Sequence, residues 1–173
     1  MEEKISLVSS CTGVYRDIIT YADGTVETTD DHNLIVNDIL KLIACLMKNQ
    51  EGYKGIGYWA IGSGNPSWDS SPGNATVNDT RLTNEIFRKA ILPENFSFVD
   101  DLGNDTQTIT NKIRIKCTFL STEAVGSWRE FAIFGGNATG SANTGLMINH
   151  KVHGRLDKDD ATSVERQIVF TFK

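Results

Sequence analysis

The chain has 173 residues, 39% hydrophobic and 23% charged, with a net charge of −5. That length suits a single domain with a sizeable buried core, and the composition excludes a disordered chain. The negative balance argues against nucleic acid as a partner, since phosphate binding needs a surplus of Lys and Arg on one face, and no stretch reaches the roughly 18 apolar residues of a membrane span.

Met1–Val8 lacks the apolar run of a signal peptide and reads, within residues 1–12, as an N-terminal arm or edge strand. Residues 13–173 read as one domain, with no internal repeat and no linker. Tyr15 to Tyr21 is expected as a strand, Asp23-Gly24 as a hairpin turn, and Thr25 to Thr28 as the returning strand. One buried helix is predicted over about residues 37–48. Asn37 is placed to cap it, and Ile39, Leu40, Leu42, Ile43, Leu46 and Met47 cover more than half its circumference. Gly57 to Ile61 reads as a short buried strand opening into a long polar loop, Asn65 to Thr80. Thr83 to Phe87 suggests one helical turn, and Arg88 to Leu92 and Phe96 to Val99 are extended.

Ile109 to Leu120 alternates cleanly. Ile109, Ile113, Ile115, Cys117 and Phe119 share one face, and Thr110, Lys112, Arg114, Lys116 and Thr118 share the other. Trp128 to Phe134, Leu146 to His153 and Ser163 to Phe172 complete the set. The fold class that follows is mainly β: an antiparallel β-sandwich of about eight strands with one buried helix.

Tests for chemistry return no catalytic, cofactor-binding or metal-binding residues. The stretch Gly55-Ile-Gly57-Tyr-Trp-Ala-Ile-Gly62-Ser-Gly64 has neither phosphate-loop spacing nor a following helix. His150 and His153 are an odd number of positions apart, so on a strand they point to opposite faces and share no ion. Asp157, Asp159 and Asp160 lack calcium-loop spacing. Glu85 and Glu130 are the acids nearest apolar positions, and Arg88 and Arg129, or other cations, are their expected partners. Cys11, Cys45 and Cys117 are odd in number and far apart, which suits free thiols, with Cys45 and Cys117 buried. Trp59 and Trp128 read as core, whereas Trp68 lies in a polar loop. Three roles are open to Trp68: stacking on a sugar, anchoring a protein contact, or folding back on the domain.

Several segments, in order, carry a resemblance. They are His32-Asn-Leu-Ile-Val-Asn37 before the helix, Tyr58-Trp-Ala-Ile-Gly-Ser-Gly64 before a Pro/Ser/Asp-rich loop, and Thr80-Arg-Leu-Thr-Asn-Glu85-Ile-Phe-Arg88-Lys89. Gly126-Ser-Trp-Arg-Glu-Phe-Ala-Ile-Phe134 and Leu146-Met-Ile-Asn149 follow, with Lys158-Asp-Asp160 before the terminal strand. Together, across residues 32–172, they resemble the small β-rich virion structural proteins of tailed bacteriophages. The long Asn65–Thr80 loop and the region before Asn33 depart from that pattern. The resemblance implies a virion protein of a tail, collar or fibre assembly, put together in the host bacterial cytoplasm and bound to copies of itself and to neighbouring virion proteins. Its alternatives are a capsid decoration or head-fibre protein and a module that binds host-surface glycan. Ile5, Leu7 and Trp68 are the candidate contact residues. No enzymatic activity, cofactor, nucleic acid or membrane partner is implied.

Overall fold

The computed structural model describes residues 11–173. In chain order the elements are β1 (Cys11–Thr20), β2 (Val26–Ile35), α1 (Asp38–Met47), β3 (Lys54–Gly62), β4 (Glu85–Ala90), β5 (Phe96–Val99), β6 (Asp105–Thr106), β7 (Lys112–Phe119), β8 (Gly126–Gly136), β9 (Leu146–Lys158) and β10 (Ser163–Phe172). The fold is mainly β with one helix, as the alternation predicts. The strands form one continuous antiparallel sheet of ten, in the order β4-β3-β8-β9-β2-β1-β10-β7-β5-β6, rather than the expected eight.

The sheet bends at β2. That strand pairs with β1 from Val26 to Asn33, but with β9 only through Leu34–His150 and Ile35–Asn149. On either side of this joint the two halves bring their apolar faces together. Odd residues of β1 and even residues of β10 point inward, as the period of two requires. Tyr15 of β1 meets Phe131 of β8 edge-on at 5.0 Å between ring centres, and Phe119 of β7 meets Trp128 of β8 at 5.2 Å. Trp59 and Trp128 are fully buried, as expected.

β8 is buried on both faces. Trp128, Phe131 and Ile133 belong to the main core, while Ala132 and Phe134 join Val36, Ala60, Leu82 and Met147 in a second one. This explains its near-continuous apolar run, where a half-exposed strand would alternate.

Several boundaries differ from expectation. Thr83 to Phe87 is not a helical turn, because Ser63 N–H donates to the Asn84 carbonyl and Glu85 opens a strand. Ile109 is 82% exposed and lies before β7. There the Thr110 hydroxyl bonds the Val99 and Lys112 carbonyls and turns the chain. β9 continues past His153 to Lys158. Asn37 stands at the N-cap position but makes no capping bond; its amide is spent on Asn78. The helix buries Ile39 and Leu42 yet leaves Met47 81% exposed. Of the expected arm over residues 1–12, Cys11 and Thr12 lie in β1, opposite Phe172 and Thr171. Residues 1–10, and Ile5 and Leu7 with them, lie outside the described residues.

All three cysteines are free. Burial raises the Cys11 thiol to about 11 and the Cys117 thiol to about 12, whereas Cys45, expected to be buried, is partly exposed. Alkylation of the native protein with iodoacetamide is therefore expected to modify Cys45 first. Cys11 and Cys117 should react only in denaturant, and mass spectrometry of the digested protein reads the order.

Candidate functional site

Two polar constellations stand out, one on each face of the β8–β9 pair. On the second-core face, His150 is held between two carboxylates. Its Nδ1 lies 2.7 Å from Asp79 Oδ2 and its Nε2 lies 3.0 Å from Glu130 Oε2. Glu130 is fully buried and also accepts the backbone N–H groups of Thr83 and Asn84. Asp79 in turn accepts the N–H and hydroxyl of Thr76.

Burial opposes charge on all three groups, and their mutual bonds outweigh it. His150 ends above its ordinary value through Glu130 and Asp79. Glu130 ends below its ordinary value through His150 and the two N–H groups, and Asp79 through Thr76 and His150. The two carboxylates contact opposite nitrogens of one ring, so they do not converge on a shared point. Among the described residues no group of three His, Cys, Asp or Glu is arranged to hold a metal ion. Among the described residues no hydroxyl or thiol is hydrogen-bonded to the imidazole, and the cluster pins the loop before β4 to the sheet.

On the opposite face, β2 and β9 part beyond their two joining pairs, and a cleft of about 710 Å³ opens between them. Its walls are the inward residues of β1 and β2, the Lys151–Asp157 stretch of β9, and the Trp68 turn. Lys151 Nζ reaches Asp31 Oδ2 at 2.6 Å across the narrow end. Each acid here is engaged: Asp17 with Arg166, Glu27 with the Tyr21 hydroxyl, Asp157 with Arg155 and Ser127. Lys151 and the His32 N–H hold Asp31 below the usual carboxylate range, and Arg155 and Ser127 do the same for Asp157. A general acid at neutral pH needs the opposite shift.

Behind the cleft, Arg166 is fully buried. It forks onto both oxygens of Asp17 and lies 4.2 Å over the Phe131 ring. His153 is pushed down to about 4 by burial and by Arg166, so it is neutral at pH 7.

The structure answers most residue-level expectations. His150 meets Glu130 while His153 packs on Phe131; these are consecutive residues of β8, so the two histidines do lie on opposite faces. Glu85 pairs with Arg88 as expected, through a bidentate contact at 2.7 and 2.8 Å. Glu130 does not pair with Arg129; it takes His150, and Arg129 forks onto Asp69 instead. Asp157 sits on β9, and Asp159 accepts the Ala161 N–H. Trp68 folds back, its indole between Gly64 and Gly73. A Cβ on either glycine would come within 2.4 Å of the ring, which explains part of the glycine-rich stretch. The Asp79–His150–Glu130 group and the cleft went unforeseen, because each gathers residues from distant segments.

Glu130→Gln should destabilise the fold by about 3–5 kcal/mol, the usual cost of removing one partner from a buried ionic contact. The wild-type advantage over this variant is also expected to depend on pH. The imidazolium contribution is whole below the ordinary histidine value of 6.5 and fades as pH climbs through the raised folded value. The carboxylate contributions are whole above the ordinary range and fade as pH falls through the depressed values. Urea denaturation of both proteins across pH should give a difference that shrinks at each extreme. The chain matches no protein-family model and no curated protein.

Proposed function

We infer that this protein is a structural component of a tailed-phage virion, in a tail, collar or fibre assembly, acting through protein–protein contacts in a symmetric oligomer. The observation that carries the contact surface is on α1. Its last turn shows Leu46 and Met47 to solvent, 42% and 81% exposed. They adjoin an apolar groove of about 230 Å³, where Ile39, Leu42 and Ile43 of the helix face Phe96, Ile113 and Phe172. An apolar helix face of this kind, repeated on every copy, suits the recurring contacts of a ring or trimer.

The folded sheet supports the same reading, its halves serving as the two layers of a sandwich. Cys11 pairs with Phe172 at the rim of the groove. Ile5 and Leu7 belong to this proposal as contacts to a neighbouring copy. The reading involves no turnover of a substrate. A head-decoration or head-fibre role rests on the same contacts and differs in location; immunogold labelling of separated heads and tails distinguishes the two.

Leu46→Asp combined with Met47→Asp should leave the melting temperature near that of the wild type, since both side chains are already wet. It should also shift the oligomer to monomer in size-exclusion chromatography with light scattering. A wild-type protein that stays monomeric at high concentration, alone and with purified virion proteins, counts against the reading.

A further inference from the structure

We propose that the cleft between β2 and β9 is a saccharide-binding site, with the Trp68 indole as the surface on which a sugar ring stacks. The cleft is built and not merely open. Its volume of about 710 Å³ lies within the range of small-ligand sites, about 300–1,000 Å³. Trp68 is mounted rigidly. The Asn65 side chain accepts the Ser67 N–H and starts the 3-10 turn Pro66–Asp69 that carries the ring. Asp69 then ties that turn to β8 through Arg129 and to β9 through Arg155. With Gly64 and Gly73 close against it, the indole has little freedom left to lose on binding.

The chemistry of the walls selects the ligand class. Tyr21 and Trp68, both half-buried, offer ring surface to the C–H faces of a sugar, and the buried Tyr15 lines the cleft with them. Between them Glu27, Asp31 and Asp157 accept hydrogen bonds, and Lys151 and Arg155 donate them. A saccharide alternates apolar C–H patches with hydroxyls that both donate and accept, so it uses rings and both signs of charge at once. A nucleic acid strand meets more carboxylates than cations here, and an apolar ligand would strip water from the ions without return. An extended peptide is the rival, because Val26–Asn33 of β2 has no strand partner on its cleft side among the described residues. A peptide strand laid along β2, however, leaves the half-buried Trp68 and Tyr21 rings of the cleft without a partner.

Trp68 also reports on the site. The chain has three tryptophans, and Trp59 and Trp128 are fully buried, so acrylamide quenching reads Trp68. The full chain is titrated with chitotetraose, maltohexaose and oligosaccharides cut from bacterial lipopolysaccharide and capsule, and with an alternating Lys/Thr hexapeptide. At least one saccharide is expected to shield Trp68 from acrylamide. In calorimetry, Trp68→Ala and, separately, Asp31→Asn should each weaken that saccharide by at least about tenfold while circular dichroism is unchanged. The proposal is overturned if no saccharide shields Trp68, if only the hexapeptide does, or if both variants bind as the wild type does. None of these outcomes touches the oligomer contact at α1, which lies elsewhere on the molecule.

Discussion

Two residue pairs, Leu34–His150 and Ile35–Asn149, join the halves of the sheet, and the rest of the molecule follows from how short that joint is. A twisted antiparallel sheet of ten strands does not stay flat; it curls until its apolar faces meet. With only two pairs at the bend, β2 and β9 swing apart beyond it. Tyr15 still reaches Phe131 across the core, and beside that contact the cleft opens between the two strands. The chain leaves the joint through Val36, whose N–H donates to the Ile148 carbonyl, and enters α1 at once. The helix is thus set over the end of the sheet where Ile148, Phe170 and Phe172 lie.

Among the described residues, Asp17–Arg166, Glu85–Arg88 and Asp79–His150–Glu130 are the most deeply buried ionic groups on this frame. Such groups add little net stability over apolar packing, because desolvation cancels much of the attraction. What they add is position. Arg88 collects the Thr139 and Thr144 carbonyls, and so holds the loop between β8 and β9 over Phe134. Glu130 does the same for Thr83 and Asn84. The second core is therefore roofed by loops fastened through charge, and its apolar residues are few and small beside those of the first.

The strands were legible in the sequence wherever one face is wet. β1, β7 and β10 alternate because water lies on one side and the core on the other, and their centres fall where the period of two puts them. The ends were less legible, since they depend on hydrogen bonds to remote partners. Thr110 finds Val99 and Asn37 finds Asn78, and neither bond leaves a mark in local composition. The sites were the least legible. Asp17 and Arg166 are 149 positions apart, and His150 and Asp79 are 71. One signal did exist: Glu130 lies between Trp128 and the apolar run Phe131 to Phe134, and a charge in such a strand implies a buried partner. Arg129, next in the chain, was the obvious candidate, but neighbouring residues of a strand point to opposite faces, which rules it out on geometry alone.

β10 is last in the described chain yet central in the sheet, flanked along its length by β1 and β7. During synthesis nine of the described strands leave the ribosome before the one that unites them. Until then β1 and β7 each carry an unsatisfied backbone edge, and the most sequence-distant contacts in the molecule are the last to close. Topologies of this kind fold slowly and expose sticky edges while they wait. Loss of β10 would part the other described strands into two groups, β4-β3-β8-β9-β2-β1 and β7-β5-β6, each left with an open backbone edge where the keystone had been.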